Sequence, residues 1–590
     1  MARILISETP QHINQKVVIA GWVHNIRDHG QLTFLDLRDS SGLLQVVIND
    51  QSSTDLKEIV KKISKEWVLE IEGTVLKRDP QTINQDLITG EIEVSPKTIN
   101  ILAESLTPPF PLDSDGSEID ESLRLKYRYL DIRRPRLQNI IEKKHKFILA
   151  VRNWFDQQGF TEVITPLLTS TSPEGARDFL VPSRIHQGKF FVLPQAPQQF
   201  KQLLMVGGIN KYFQIAPCAR DEDPRADRHA GVFYQIDIEI AFPTVEEIFT
   251  IAEQLMKDTY QTVAPQKHIP HLPFPKISYQ DALNKYGSDK PDLRFALELV
   301  DFTQVLKNQS EFNIFNQSEV IKGIIVPQGA AFSKSQVDTL EETAKSKGAQ
   351  GLAYTRVKNN LLDSGIARFF SETLQKKLIQ EMSLKEGDLL LFVADRLSVA
   401  NKSLGQVRNL LGDMLKLKDK DELYFCWVTD FPFYEINDEG KLDFGHNPFS
   451  MPKGGRQALD SQDPLSIESH QYDLVLNGYE LASGSIRNHE PETLIKAFEI
   501  LGYSKDVVTK KFGAMYTAFQ YGAPPHGGWA IGLDRLLMLL LDEDNIRDVY
   551  AFPLSSNGVD LMMGAPSMVD KTQLDDVGLS LKNHHDSQNP

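Results

Sequence analysis

The stretch Gly527-Gly-Trp-Ala-Ile-Gly-Leu-Asp-Arg535, followed by Leu536-Leu-Met-Leu-Leu-Leu541, decides the fold of the C-terminal part of this chain. Two of its glycines stand four positions apart, and an Asp-Arg pair then opens a run that is apolar almost all round. Such a helix must be buried, so it can hold one charged side chain rigidly at its N-terminal end. Small residues let a flat ligand approach the backbone, and a fixed arginine suits polyphosphate. The alternative is an ordinary buried helix with a surface arginine.

A second cluster, 300 residues earlier, adds to this pattern. Ala219-Arg-Asp-Glu-Asp-Pro-Arg-Ala-Asp-Arg228 precedes the alternating run Phe233-Tyr-Gln-Ile-Asp-Ile-Glu239. Arg220 and Arg535 are candidates for clamping triphosphate oxygens, because a guanidinium offers fixed, charge-assisted donors. Glu222 is placed to read the exocyclic amine of adenine, and Phe233 to stack on the base. Taken singly, each charged residue is more often a surface group, so the prediction rests on the joint pattern.

Asp473 and Glu480 lie seven positions apart around an Asn477-Gly478 turn. On an extended stretch that turns back on itself, the two carboxylates converge. Magnesium prefers one or two carboxylates together with phosphate oxygens. The spacing therefore predicts a magnesium site.

Another group of residues predicts an amino-acid pocket. Charged and hydrogen-bonding side chains recur in short segments rich in small residues, at Glu174, Gln198, Lys201, His446 and Arg487. Two cations with two or three acids fit a zwitterion that carries an extra negative side chain. The cations would hold the side-chain carboxylate, and acids such as Glu174 or Asp237 would hold the ammonium group.

Composition limits the protein class. A length of 590 residues predicts three or four domains, and only two cysteines, Cys218 and Cys426, argue against a disulfide framework or a cysteine-based zinc site. No apolar run approaches the roughly 20 residues of a membrane span, and no secretory signal is evident, so we expect a cytoplasmic protein.

The net charge of −16 argues against nucleic-acid binding as a property of the whole chain, but one segment is strongly basic. Residues 124–146 hold nine basic residues against two acidic ones. Such a run is usually a solvated helix face, and the alternative is a grip on a phosphate backbone. The nine are Arg124, Lys126, Arg128, Arg133, Arg134, Arg136, Lys143, Lys144 and Lys146.

The pattern of apolar and polar runs along the chain suggests the domain order. Short β-rich runs at 16–24, 31–38, 42–49, 67–78 and 90–100, with a helix at 54–64, match the size of an OB-fold barrel or another small β-barrel. The Pro-rich break at 107–111 ends this domain. In residues 290–420, apolar runs alternate with polar helical stretches, unlike in the segments on either side. This difference indicates a domain inserted into a split catalytic block. The last twenty residues are polar and are expected to be loosely held.

These motifs, in this order, resemble those of the bacterial-type aspartyl-tRNA synthetases of class IIb. Arg220-Asp-Glu222 with Phe233 is similar to motif 2, Gly532-Leu-Asp-Arg535 to motif 3, and Glu162-Val-Ile-Thr-Pro166 to the end of motif 1, which builds the dimer interface. The resemblance implies a multidomain fold: a five-stranded N-terminal OB-fold barrel, an antiparallel-sheet catalytic domain of class II, and an inserted α+β GAD domain. The implied segments are an anticodon-binding barrel at 1–106, a hinge at 107–138, catalytic parts at 139–288 and 421–565, the GAD domain at 289–420 and a tail at 566–590.

The resemblance also implies an activity and its site residues. It implies an aspartate–tRNA ligase that uses ATP and Mg²⁺, with Arg220 and Arg535 as catalytic residues and Asp473 and Glu480 as metal ligands. Aspartate contacts are implied at Glu174, Gln198, Gln199, Phe200, Lys201, Arg220, Asp237, His446 and Arg487. ATP contacts are implied at Arg220, Asp221, Glu222, His229, Phe233, Glu480, Gly532, Leu533, Asp534 and Arg535. Anticodon contacts are implied at Arg27, His29, Phe34, Gln45 and Gln81. Two positions depart from the family pattern, Val232 in place of a glutamate and Asn447 in place of a second histidine.

The implied partners are tRNA(Asp), L-aspartate, ATP and a second copy of the chain in a homodimer. His29, with no lysine near residue 81, is similar to the relaxed members of the family, which also aspartylate tRNA(Asn). The alternative for Phe34 is plain barrel core. The alternatives for the whole chain are an asparaginyl- or lysyl-tRNA synthetase, a non-catalytic RNA-binding paralogue, and a non-tRNA amide-forming ligase of the same fold, which would not need the N-terminal barrel. Lys201 and Arg487 disfavour asparagine because they would face a neutral amide.

Overall fold

Alternating apolar residues close the first hundred positions into a five-stranded barrel. In the computed structural model, which describes residues 2–171, 176–222, 231–437 and 439–582, the barrel order is β1-β2-β3-β5-β4. Leu35 and Leu37 point inward with no exposed surface, whereas Phe34, the residue before Leu35 on the same strand, is half-buried. The predicted OB-fold barrel is confirmed. Its elements are β1 (Lys16–Asp28), β2 (Thr33–Asp39), β3 (Gly42–Ile48), α1 (Thr54–Val60), β4 (Val68–Lys77) and β5 (Ile92–Ala103).

The basic segment after the barrel is largely structural. Arg124, Arg128 and Arg134 all donate to the buried carboxylate of Asp131, at 3.0, 2.8 and 2.8 Å. Interpreting these three arginines as a phosphate grip was wrong, because their guanidinium groups are buried and already paired. The helices of this segment are α2 (Glu121–Lys126), α3 (Arg128–Asp131) and α4 (Pro135–Gln157).

The next segment supplies one half of a large sheet and the helices that cover it. Strands β9 and β10 pair in antiparallel register, with Asp237 opposite Gln214. The elements are β6 (Thr161–Glu162), β7 (Leu180–Pro182), β8 (Phe190–Val192), α5 (Gln198–Val206), β9 (Lys211–Ala219), β10 (Val232–Ala241), α6 (Val245–Thr259), β11 (Lys276–Ser278) and α7 (Tyr279–Tyr286).

A separate five-stranded sheet follows, in the order β12-β13-β16-β14-β15. Its central strand β16 is apolar at successive positions because alternate side chains enter two different cores: Leu390 and Phe392 pack in one, Leu389 and Leu391 in the other. The elements are β12 (Leu299–Asp301), α8 (Thr303–Leu306), α9 (Asn313–Gln317), β13 (Val320–Val326), α10 (Lys334–Lys345), β14 (Ala353–Lys358), β15 (Leu361–Asp363), α11 (Glu372–Glu381), β16 (Leu389–Asp395) and α12 (Leu397–Met414).

The C-terminal segment completes the large sheet, whose order is β11-β17-β20-β21-β22-β10-β9-β6. The six central strands are antiparallel as expected, but the pairs β11/β17 and β6/β9 at the edges are parallel. Each of these edge strands reaches its neighbour through a long crossover rather than a hairpin. The elements are β17 (Phe425–Thr429), β18 (Tyr434–Ile436), β19 (Leu442–Phe444), α13 (Gly455–Ser461), β20 (Gln471–Leu476), β21 (Tyr479–Ile486), α14 (Pro491–Ile500), α15 (Lys505–Lys511), α16 (Gly513–Phe519), β22 (His526–Gly532), α17 (Leu533–Leu540) and α18 (Lys571–Asp576).

Helix α18 lies in the tail that was expected to be loosely held. Asp570 and Gln573 form a capping box that supplies the local hydrogen bonds of a helix start. The chain divides into two compact units, one formed by Met1–Glu142, Ala551–Ser555 and Val559–Pro566 and the other by the remaining residues. Among the described residues, no helix combines the length and apolar character that crossing a membrane requires.

Candidate active site

A cavity of about 450 Å³ opens beside strands β10, β21 and β22. Its wall brings together residues that are far apart in sequence, from the two segments that the five-stranded sheet separates. The predicted residues on this wall are Gln198, Lys201, Arg220, Glu222, Phe233, Asp237, Glu480, Arg487, Gly532, Asp534 and Arg535. Residues on the wall that were not predicted include Gln195, Tyr234, Gln235, Asn447 and Ser483.

Several predicted residues lie off this wall. Leu533 is fully buried in the core of α17, and Asp221 is exposed, with its backbone N–H donated to the carbonyl of Arg177 at 2.9 Å. Gln199 and Phe200 are half-buried on α5. Glu174 and His229 lie outside the described residues.

Two of the three glycines of the opening stretch have different roles. A Cβ added at Gly528 would lie 2.1 Å from the carbonyl oxygen of Ile238, so glycine there permits the close approach of β22 to β10. A Cβ at Gly532 would meet no heavy atom closer than 3.7 Å, and Gly532 lies on the cavity wall. Only Gly532 therefore leaves room for a ligand.

The two charged residues at the start of the short helix α17, Asp534 and Arg535, have different roles. The buried carboxylate of Asp534 accepts hydrogen bonds from Lys144 Nζ (2.5 Å), the Tyr234 backbone N–H (2.9 Å) and the Tyr550 hydroxyl (2.8 Å). Asp534 thus fixes the first turn of the helix from inside. Arg535 Nη1 donates to the carbonyl oxygen of Glu480, which brings its guanidinium to the cavity wall beside one of the two predicted metal ligands.

Arg220 and Phe233 lie together on the cavity wall. The guanidinium carbon of Arg220 is 5.1 Å from the centre of the Phe233 ring. Residues 220 and 233 sit at adjacent ends of the antiparallel pair β9/β10, which is why two positions thirteen residues apart meet. A flat base can stack beside this planar cation and aromatic ring, and the guanidinium can also donate hydrogen bonds to a phosphate group.

At one end of the cavity, two cations and two acids form a buried network. Lys201 Nζ lies 2.5 Å from Asp237 Oδ1 and 3.3 Å from Glu239 Oε2. Arg487 donates through Nε and Nη2 to the two oxygens of Glu239, at 2.9 and 3.2 Å. All four side chains are at most 5% exposed. Because they pair with one another, the cations are held in place before any ligand arrives.

The pKa directions in this network identify the acid that is left under-satisfied. Burial raises the pKa of Asp237, and Lys201 only partly offsets it. Burial acts on Glu239 too, but Arg487 and Lys201 outweigh it and lower the pKa of Glu239. Asp237 Oδ2 is buried and accepts no hydrogen bond. An N–H donor of a ligand would satisfy this oxygen.

Glu239 was missing from the sequence-based prediction, although a signal was available. Side chains two positions apart on a strand share a face, so the face that carries Phe233 and Asp237 also carries Gln235 and Glu239. Gln235 lies on the cavity wall, and Glu239 pairs with both predicted cations.

Strands β20 and β21 form the hairpin that was expected around the 477–478 turn. Burial raises the pKa of Asp473 well above its usual range, and the nearby Glu480 carboxylate raises it further. Burial also acts on Glu480, but the Lys290 ammonium, 3.1 Å away, outweighs it and lowers the pKa of Glu480. Asp473 Oδ1 is buried without a hydrogen-bond partner. Two crowded carboxylates with an unsatisfied oxygen fit a divalent cation that takes its remaining ligands from phosphate and water.

Asp473→Asn is expected to stabilise the ligand-free protein by about 1–3 kcal/mol at pH 7.5, since it removes an unsatisfied buried charge. An acid whose pKa is raised by folding contributes stability below its unfolded pKa and loses it as the pH rises through the folded value. The gain should therefore disappear in mildly acidic buffer. Thermal unfolding with and without MgCl₂ measures both effects, and the variant should lose the Mg²⁺-dependent stabilisation. Asp338→Asn, on the exposed face of α10, is the control. A variant that Mg²⁺ stabilises as much as it stabilises the wild type would contradict this assignment.

The loop after β19 presents a neighbour of the predicted histidine. Asn447 lies on the cavity wall and donates to Gln471 at 3.5 Å, whereas His446 is exposed and packs edge-on against Phe431, with ring centres 4.7 Å apart. His446 is not among the residues that line the cavity, and its predicted aspartate contact stays a prediction.

The barrel carries a second, smaller cavity of about 280 Å³. Arg27 and Gln45 line it, and Arg27 Nη2 donates to Gln45 Oε1 at 3.4 Å while its Nη1 pairs with Asp36 at 2.7 Å. The half-buried ring of Phe34 packs edge-on against His29 at 5.9 Å and lies the same distance from the Arg27 guanidinium. Gln81 is exposed in the short helix Pro80–Thr82. An accessible aromatic ring beside hydrogen-bonding side chains is an arrangement that stacks and reads nucleic-acid bases.

Comparison with known proteins agrees with this division into barrel and catalytic cavity. The family described as tRNA synthetases class II (D, K and N) matches residues 120–556, and the OB-fold nucleic acid binding domain matches residues 17–108. The chain is 47% identical over 572 residues to the aspartate–tRNA(Asp/Asn) ligase of Chlorobium phaeovibrioides, covering 96% of this chain and 94% of that protein. It is 46% identical to the enzyme of the same description from Rickettsia canadensis, with 96% of each chain covered.

Solved structures share the fold at lower sequence identity. The asparaginyl-tRNA synthetase of Pyrococcus horikoshii with asparaginyl-adenylate superposes with a TM-score of 0.58 at 20% identity, covering 94% of this chain and 98% of that one. A putative aspartyl-tRNA synthetase from Leishmania major gives a TM-score of 0.57 at 20% identity, with 94% of each chain covered.

Proposed function

Because the chain belongs to the class II tRNA synthetases of the aspartate, lysine and asparagine group, we propose that it activates L-aspartate with ATP and transfers it to the 3′ end of tRNA(Asp). In the first step the aspartate α-carboxylate attacks the α-phosphate, and pyrophosphate leaves. In the second, the terminal ribose hydroxyl of the tRNA attacks the activated carbonyl, and AMP leaves. The protein needs no nucleophile of its own for either step.

The side chains of the cavity contribute position and charge. Arg220 and Arg535 carry fixed guanidinium groups that complement the phosphate charge as it redistributes in the transition state. Phe233 gives the adenine a stacking face, and Glu222 is available to its exocyclic amine. Mg²⁺ held by Asp473 and Glu480 would neutralise part of the triphosphate charge.

The observation that carries the choice of aspartate is the buried network around Lys201 and Arg487. Lys201 and Arg487 of this network, together with Arg220 on the wall of the same cavity, give a ligand carboxylate fixed cations to pair with, which favours a ligand with a negatively charged side chain. Asparagine would offer a neutral amide, and lysine would bring a further cation. A site built around paired charges rejects analogues that leave those charges unmatched.

ATP–pyrophosphate exchange with each amino acid in turn tests this choice. Aspartate is expected to support exchange with a kcat/KM at least about 1,000-fold above those of asparagine and lysine, since each alternative leaves buried charges unmatched. The measurement uses labelled pyrophosphate with MgATP and highly purified amino acids, and omission of the amino acid is the blank. Preferred exchange with asparagine or lysine would overturn the proposal.

The barrel is the part of the chain proposed to select the tRNA. Phe34 is accessible for stacking on an anticodon base, which contributes about 1–3 kcal/mol per base in other systems. Arg27 and Gln45 are already hydrogen-bonded to each other, so they present a preformed edge. His29 packs on Phe34 and joins the same surface.

We also propose that tRNA(Asn) is a substrate. The relatives from Chlorobium and Rickettsia are described as aspartate–tRNA(Asp/Asn) ligases, and each matches 96% of this chain. Purified tRNA(Asn) is therefore expected to accept labelled aspartate to at least half of its measured acceptor capacity, with a lysine tRNA as the uncharged control. Charging of tRNA(Asp) alone would restrict the enzyme to one tRNA without affecting the proposed activation step.

A homodimer and a cytoplasmic location complete the proposal. Ile164, Leu167 and Leu168 are 87%, 55% and 48% exposed, although they are large apolar residues close together in the chain. Such an exposed apolar run is typical of a surface that another chain covers. Cys218 and Cys426 are both buried and neither is in a disulfide, which suits a reducing compartment.

A further inference from the structure

A chain of three side chains leads from the buried start of β22 to the wall of the cavity. Gln198 Nε2 lies 3.1 Å from Gln202 Oε1, one helical turn further along α5. Gln202 Nε2 lies 3.0 Å from His526 Nε2, and His526 Nδ1 lies 2.7 Å from the carbonyl oxygen of Pro524. Gln202 and His526 have no exposed surface, and Gln198 lines the cavity.

The chemistry of the carbonyl at one end fixes the direction of every hydrogen bond in this chain. A carbonyl oxygen only accepts, so His526 Nδ1 must carry a proton and donate it. In a neutral imidazole the other nitrogen then accepts, and Gln202 must present its NH₂ group to His526. Gln202 consequently presents its carbonyl oxygen to Gln198, whose own NH₂ group is the donor.

His526 is held in this neutral form by its surroundings. Burial lowers the pKa of His526, and the attraction of Glu239 only partly offsets it. Arg487, whose guanidinium pairs with Glu239, also disfavours a second positive charge on the ring. The hydrogen bonds that link Gln198, Gln202 and His526 therefore keep this one direction at neutral pH.

From this geometry we propose that His526 and Gln202 are positioning residues that fix the orientation of the Gln198 amide. With its NH₂ group committed to Gln202, Gln198 offers its carbonyl oxygen to the cavity. The hydrogen-bond donors of free aspartate at neutral pH are the N–H groups of its α-ammonium. An acceptor in a fixed orientation therefore selects the ammonium end of the substrate, beside the unsatisfied oxygen of Asp237.

This inference rests on the proposed use of aspartate, and a pair of ligands tests it. Gln202→Met keeps the length of the side chain but releases the Gln198 amide. We expect it to weaken L-aspartate binding by about tenfold to 100-fold, the value of one hydrogen bond to a charged group. Succinate, which is aspartate without the ammonium group, should inhibit the variant and the wild type within about twofold of each other, as this loss concerns the ammonium alone. Gln157→Met, on the exposed end of α4, is the matched control.

The outcomes separate the possible failures. Equal weakening of aspartate and succinate would mean that Gln202 only supports the fold, and unchanged aspartate binding would mean that the Gln198 amide is oriented by something else. Either result overturns the inference. A wild-type protein that binds no aspartate would instead overturn the proposed function. Nitrogen-15 NMR of histidine-labelled wild-type protein gives an independent measurement: His526 should be protonated at Nδ1 and bare at Nε2, and the opposite tautomer contradicts the proposal without any variant.

Discussion

Replacing Arg535 with alanine is expected to lower aspartate-dependent ATP–pyrophosphate exchange by about 100- to 1,000-fold, the usual cost of removing one donor that stabilises transition-state charge. The guanidinium is held by a helix whose first turn is anchored inside the protein by Asp534. It is also tied to the carbonyl of Glu480, so its position is fixed relative to the predicted metal ligands. A fixed cation loses little freedom when charge develops beside it.

The effect should fall on catalysis and not on folding. Arg535→Ala leaves the buried residues of α17 in place, so its thermal unfolding should stay close to that of the wild type. Arg535→Lys restores the charge without the planar fork and should recover only part of the exchange rate. Arg456→Ala, which breaks an exposed pair with Asp460, is the control and should keep full exchange. A loss of less than tenfold in Arg535→Ala would argue against its assignment as a catalytic residue.

Lys201→Met is expected to lower the free energy of unfolding by about 3–5 kcal/mol, since it leaves buried carboxylates without one of their counterions. Asp237 and Glu239 both pair with the Lys201 ammonium and are almost completely buried. The same change removes a cation predicted to bind the substrate carboxylate. We therefore also expect the KM for aspartate to rise by at least about 30-fold, while the KM for ATP stays within a few fold.

Two measurements keep these effects apart. Urea denaturation reports the loss of stability, and exchange kinetics at low temperature on the folded variant report the loss of aspartate affinity. Lys276→Met removes an exposed lysine paired with Glu246 and should change stability by less than about 1 kcal/mol. If Lys201→Met kept wild-type aspartate affinity, the network would be structural only, and another cation would have to recognise the substrate side chain.

Much of the fold could be predicted from the chain because its signals are local. Period-two alternation with turn residues located the barrel strands, and an apolar run behind an Asp-Arg pair located α17. The prediction for the basic segment 124–146 was the least accurate, since the charge of a residue does not reveal whether a buried counterion will pair with it. Asp131 alone accounts for three of its arginines.

The candidate site divides in the same way. Residue types and their order in the sequence picked out Lys201, Asp237, Arg487 and Arg535, because each lies in a short segment of recognisable composition. The sequence could not indicate that the cations would be shared with Glu239, nor that Asn447 rather than His446 would form the wall of the cavity. Those facts depend on which strands become neighbours, and β10 pairs with β22 although the two strands are far apart in the chain.

By itself, then, the sequence determined the barrel, the catalytic block and the chemistry of the motifs, since propensity, periodicity and residue type are properties of short segments. The tertiary structure alone decided how those groups are oriented. Gln202 and His526 stand 324 positions apart and share a hydrogen bond because α5 packs beside the start of β22. The direction of that bond is set by the carbonyl of Pro524, through geometry that no stretch of sequence contains.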